Sequence, residues 1–293
     1  MLLGITAVVI FATYARLPPH ETYHVSRSGL VGGASRALVF LNFPVALAAI
    51  PILVLLAERV GSRGLTAVAV LGVAFCAAVF WPGVVNEADL DARPVNGVAG
   101  LGVALAVAGS VGAWRLTGLE RPSWRAPGDR GRVAIAAAAV VLAVPWIAAD
   151  VGVSLNGVPV LGGLFQTGEL RQQPGDPMFH PAVHHGHHHG MDGVLLIITT
   201  LLLSRLLPKV QHRAVGSFLT AYLALAFCYG VGNVANDFWL EQVVKRGWTQ
   251  WEIPNVTEPR LTIAWGIIVA GAVALWAVSE WHARRARMRP LPA

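Results

Sequence analysis

The chain has 293 residues, of which 55% are hydrophobic and 13% charged, whereas a soluble domain carries roughly 25% charged residues to coat a surface that faces water. That shortage excludes a soluble globule and leaves hydrocarbon as the solvent. The formal net charge of +6 reads as a sign of membrane orientation, and nucleic acid binding is not needed to account for it.

The apolar residues fall in blocks of about 20, the length a helix needs to cross ~30 Å of hydrocarbon. In chain order the blocks predict spans at 1–17, 37–57, 65–85, 97–116, 133–152, 193–208, 216–236 and 261–281. The expectation is an all-α polytopic membrane bundle of about eight transmembrane helices, forming one domain over 1–293. Residues 1–17 lack the basic start of a secretory leader and are read as the first helix. Pro44, Pro51 and Pro145 fall inside spans, where kinks are expected because neighbouring groups can satisfy the freed carbonyls. Gly97, Gly100, Gly102, Gly109 and Gly112 give the fourth span a small-residue face suited to close helix contact. Cys76 and Cys228 lie inside apolar blocks and read as packing thiols.

Basic residues near helix ends are retained on the cytoplasmic side. With the N-terminus inside, the inner segments carry fourteen basic and four acidic residues, a balance of +10, and the outer segments carry eight and twelve, a balance of −4. The inner sum is positive and the outer sum negative, so an N-in, C-in protein of the plasma (inner) membrane is expected, with a basic cytoplasmic tail at 282–293.

That topology puts eight of the ten histidines outside. His20 and His24 follow the first span. The rest lie in the long loop 153–192, whose end, Met178 to Asp192, reads MFHPAVHHGHHHGMD. If the sixth helix extends outward, His184, His188 and Asp192 recur every four residues on one face, with His185 and His189 beside them. Two imidazoles at i and i+4 can close on one ion, and a nearby carboxylate can ligate it or orient an imidazole. Gly186 and Gly190 oppose a helix there, yet six imidazoles within ten residues (180–189) would capture a transition metal even from a loop. The expected site is therefore His20, His24, His180, His184, His185, His188, His189 and Asp192 around zinc or copper. Met178 and Met191 beside the imidazoles suit copper. A solvated histidine-rich loop with incidental metal affinity and a sensor of external pH compete with it.

Glu87, Asp89, Asp91, Asp150, Asn233, Asn236 and Asp237 also fall at outer helix ends. The loop 237–260, with Trp239, Trp248, Trp251, Lys245 and Arg246, reads as an interfacial segment that anchors the chain or covers a substrate. Three functions follow. The first is a metal-dependent enzyme acting on a lipid, a lipid-linked molecule or an exported small molecule at the outer leaflet, with Asp150, Asp192 or Asp237 carrying protons. The second is transport or delivery of copper or zinc, against which stand nearly apolar midplane positions; Ser110, Thr199, Thr200, Ser217, Thr220 and Cys228 are the exceptions. The third is a non-catalytic scaffold. The sequence has no phosphate-binding glycine loop ending in Lys-Ser/Thr, no GxSxG and no HExxH.

Overall fold

Backbone surrounded by hydrocarbon must satisfy its hydrogen bonds internally, which favours helices, and the computed structural model is built of them. It describes residues 29–82, 84, 91–117, 126–150, 158–160, 163, 170–172, 179–181, 189–257 and 259–288, together with 5, 8 and 12. In chain order these form α1 (Gly29–Phe40), a π-helical turn (Leu41–Val45), α2 (Ala46–Val60), α3 (Arg63–Cys76) and α4 (Pro94–Thr117). Then come α5 (Asp129–Asp150), strands β1 (Leu170–Gln172) and β2 (Phe179–Pro181), α6 (His189–Ser204), α7 (Arg213–Trp239) with a π turn (Leu240–Val244), and α8 (Ile263–Met288).

Among the described residues six stretches are long and apolar enough to cross a bilayer: Leu30–Val60, Arg63–Phe80, Pro94–Leu116, Gly190–Lys209, Arg213–Val244 and Ile263–Arg285. They match six of the eight expected spans. The expected span at 1–17 lies almost wholly outside the described residues. The one at 133–152 falls on α5, whose 22 residues reach about 33 Å at 1.5 Å per residue.

Several ends differ from the hydropathy blocks. The second span begins near Leu30, with the π turn at Leu41–Val45 holding Pro44. Proline has no N–H to give, and a π turn absorbs that break without ending the rod. Pro51 lies within continuous α-helix. The seventh span runs on through Asp237 and Glu241 to Val244, because these polar residues find partners and need not leave the helix for water.

The helices meet through small residues, as expected where lipid tails are as apolar as leucine and packing replaces the hydrophobic drive. Ala37, Ala46, Ala49, Ala69, Cys76, Ala99 and Ala106 are buried at the α1–α4 contacts. A side chain at Gly102 would strike the backbone and thiol of Cys76 and the Gly72 carbonyl, so α3 and α4 touch at backbone level. Ala143 and Trp146 of α5 pack on Val194 and Ile197 of α6 and Val234 of α7. Leu196, Tyr229, Val256 and Ile268 join α6, α7 and α8. Outward positions such as Val141, Leu202, Phe218, Ile267 and Val273 are exposed and apolar, a surface that suits lipid and not water.

Polar groups gather at the ends of the rods. At one end Glu58 Oε1 accepts the N–H groups of Gln211 and His212 at 2.9 and 2.8 Å, and His212 Nδ1 lies 2.8 Å from Glu58 Oε2. At the same end Asp129 pairs with Arg132 and Arg205 at 3.1 Å each, and Arg132 Nε donates to Ser204 Oγ at 2.9 Å. The basic segments that the charge rule groups together are therefore joined by direct bonds: the end of α2 to the start of α7, and the start of α5 to the end of α6.

Candidate functional site

Of the residues expected to form the site, the described ones are His180, His189 and Asp192, the last two at the start of α6 at the opposite end of the bundle. His20, His24, His184, His185 and His188 lie outside the described residues. His180 is the middle residue of β2, opposite Arg171 of β1 in an antiparallel ladder. His189 is the first residue of α6, which therefore starts four residues before the expected span. Asp192 lies in the first turn of α6 and is buried at 6% exposure. A carboxylate in a first turn interacts favourably with the positive end of the helix dipole. Met191 packs into the apolar cluster with Trp146 and Val194, so its thioether has a packing role there. Among the described residues no group of three or more His, Cys, Asp or Glu is placed to hold an ion.

The described part of this end is organised by α7. Asn233, Asp237 and Glu241 follow at intervals of four and are all buried, at 1%, 2% and 0% exposure. Asp237 Oδ2 accepts the backbone N–H of Gly190 at 3.1 Å, one residue beyond the histidine run. Glu241 Oε1 takes Lys245 Nζ at 2.8 Å, with the ammonium about one-fifth exposed. A buried carboxylate of this kind persists only with a partner that offsets its lost hydration. The sequence singles out Asn233 and Asp237, whereas Glu241, Gln242 and Trp146 emerge only from the packing. The four-residue spacing from Asp237 to Glu241 is the one sequence signal of this column, and the polar character of 237–260 masks it.

The segment 251–257 is a strap laid along the end of α7. Trp239 Nε1 donates to the Trp251 carbonyl at 2.8 Å, Asn236 Nδ2 to that of Ile253 at 2.7 Å, and the Tyr229 hydroxyl to that of Thr257 at 2.8 Å. Trp265 Nε1, at the start of α8, donates to the Val256 carbonyl at 3.1 Å. Non-helical backbone near hydrocarbon is tolerated where protein groups satisfy it, and these four bonds do so. The tryptophan loop is thus fixed to the helix bearing Asp237. Trp248 and Trp251 remain exposed at 73% and 63%, where amphipathic rings suit a membrane interface.

A second buried polar contact joins α1, the π turn and α4. Asn42 Nδ2 donates to the Asn96 carbonyl at 2.6 Å, and Asn96 Oδ1 accepts the Arg93 N–H at 2.7 Å. Both asparagines are almost fully buried. Asn96 caps the start of α4, Asn42 ties the π turn to it, and neither brings an ionisable group.

Of the hydroxyls that would mark a path through the helices, three are spent locally. Ser110, Thr200 and Thr220 donate to backbone carbonyls three or four residues earlier on their own helices, the usual way a helix absorbs such side chains. Ser217 Oγ accepts from Trp276 Nε1 at 3.2 Å.

Comparison with known proteins adds no relative: no protein-family model, no curated protein and no solved structure matches the chain.

Proposed function

We propose that this chain is a multi-pass protein of the plasma membrane that holds a transition-metal ion, zinc or copper, at its extracytoplasmic face. In this reading α5 and residues 1–17 complete eight spans, and both termini are cytoplasmic. The ligands come from His180, His184, His185, His188 and His189, with His20 and His24 from the first loop and Asp192 from the first turn of α6. The observation that carries the reading is the bond from Gly190 N–H to Asp237. It ties the residue that follows the histidine run to the buried carboxylate of Asp237, two residues before the buried Asp192. Carboxylates beside imidazoles can ligate an ion or hold a histidine ring in its ligating orientation. An ion at this level would polarise an oxygen or activate water on a lipid, a lipid-linked molecule or an exported small molecule. Transport across the bundle ranks lower, because the hydroxyls of Ser110, Thr200 and Thr220 are spent on their own helices.

The test is elemental mass spectrometry on tag-free protein in detergent, comparing wild type with His184→Ala/His188→Ala. About one ion per chain that survives a mild chelator wash and is lost in the variant is the expected result. No ion, or several loosely held ones, would overturn the built site and leave a histidine-rich loop on a membrane scaffold.

A further inference from the structure

Between the π turn and α2, the segment 79–82 that follows α3, α7 and the start of α8 lies a cavity of about 380 Å³, open on one side and lined almost wholly by apolar and aromatic groups. Its volume falls within the range of small-molecule sites. Phe43 meets Tyr229 edge-on at 5.9 Å, and Tyr229 stacks on Trp265 at 5.3 Å, so one wall is a fixed set of rings. Three polar groups of the wall are already engaged. The Tyr222 hydroxyl donates to the Leu47 carbonyl at 2.9 Å, that of Tyr229 to Thr257, and Trp265 Nε1 to Val256. These groups spend their donor hydrogens on the protein itself, so the slot favours length and apolarity over hydrogen bonding.

The mouth and orientation of the slot select its occupant. Phe80, Trp81 and Leu225 are exposed beside it at 62%, 70% and 39%, on a surface that faces hydrocarbon in a membrane. Along α7 the lining runs from Tyr222 to Tyr229, about 10 Å at 1.5 Å per residue. Trp81 and Trp265 stand at the helix ends nearest the strap, where tryptophan marks the headgroup level. The slot therefore runs from that level into the hydrocarbon, the path of a lipid tail. Bilayer lipid is the apolar long-chain molecule always present at such a mouth. We infer that the cavity is a binding site for one acyl chain of a membrane phospholipid, which enters sideways from the leaflet on the histidine-bearing side. This inference uses none of the proposed metal ligands and stands or falls separately from the metal reading.

The test is photolabelling of the full chain in phosphatidylcholine–phosphatidylglycerol vesicles containing a trace of phospholipid with a diazirine in mid-chain, followed by peptide mapping. Adducts on Tyr222–Tyr229 and around Trp81 are expected severalfold above those on the exposed α8 positions Val269 and Val273. Ala226→Phe, which narrows the slot, should lower the slot adducts severalfold. Leu225→Ala, which widens the mouth, should keep or raise them. Labelling of α8 in the same samples reports that each variant is inserted and folded. Slot labelling no greater than α8 labelling in the wild type, or equal slot labelling in wild type and Ala226→Phe, would mean surface lipid contact only and would overturn the inference.

Discussion

Asp237 and Gly190 meet where two helices and the histidine run converge: a buried carboxylate of α7 accepts the second backbone N–H of α6. The first N–H groups of a helix have no partner within it, and this carboxylate supplies one from a neighbouring helix. Glycine is needed for the approach, since a Cβ at position 190 would collide with the Trp146 ring and with Asp237 Oδ2. Gly190→Ala should therefore destabilise the fold by about 1–3 kcal/mol, the usual cost of overpacking. Gly97→Ala in α4 is the control. Nothing lies within 4 Å of a Cβ there, and alanine is the better helix former by up to about 1 kcal/mol. Unfolding midpoints in detergent for the two variants should move in opposite directions.

Asp192→Asn tests the proposed site with little change in shape. If the carboxylate ligates the ion or orients a ligating histidine, chelator competition should show metal affinity falling by about 10–100-fold with the unfolding midpoint of the metal-free protein nearly unchanged. Equal affinity in wild type and variant would remove Asp192 from the site.

Six of the expected spans were legible because each is a block of apolar residues whose length matches a bilayer. Bonds such as Glu58 to His212 and Asp129 to Arg205 join segments that the charge rule groups together. Polar residues that continue a helix were not legible. Asp237 and Glu241 look like the start of a loop until Gly190 and Lys245 are known to lie beside them. The strap 251–257 was hidden for the same reason: its carbonyls are satisfied by Trp239, Asn236 and Tyr229, and one-dimensional hydropathy carries no record of such pairings. Asp192 is expected beside the start of the sixth span and lies in the first turn of α6, whereas the column on α7 required the packed structure.

Asp129 gives a pH dependence with a definite sign. The Ala126 N–H donates to its carboxylate, and Arg205 and Arg132 add positive charge; together these outweigh the cost of partial burial and hold its pKa below the usual value. A depressed pKa stabilises the fold above the unfolded value of about 3.9, and the contribution is lost as pH falls through the folded value. Asp129→Asn should therefore lower the unfolding midpoint at pH 7, with the gap from wild type constant down to about pH 5 and closing only below about pH 4. The carboxylate is about one-fifth exposed, so solvent screens the pairs, and added salt should shrink the gap at neutral pH.

The crossing of α6 and α7 offers the sharpest test of the packing that supports the site. A Cβ at Gly193 would strike the Gly230 carbonyl, and one at Gly230 would come within 2.8 Å of the Gly193 carbonyl, so the two backbones touch. Either Gly193→Ala or Gly230→Ala should push the helices apart. Because both changes relieve themselves by the same separation, the second should cost less than the first. A double-mutant cycle on unfolding in detergent should then give a coupling of about 0.5–3 kcal/mol, whereas additive losses would mean that the two glycines are accommodated independently. Asp192 precedes Gly193 by one residue and Asp237 lies two turns beyond Gly230, so the separation should also stretch the Gly190–Asp237 bond. Metal affinity should accordingly fall in both single variants while no proposed ligand has been changed. Loss of helix contact with metal affinity intact would show that the histidine run holds its ion without the α6–α7 frame.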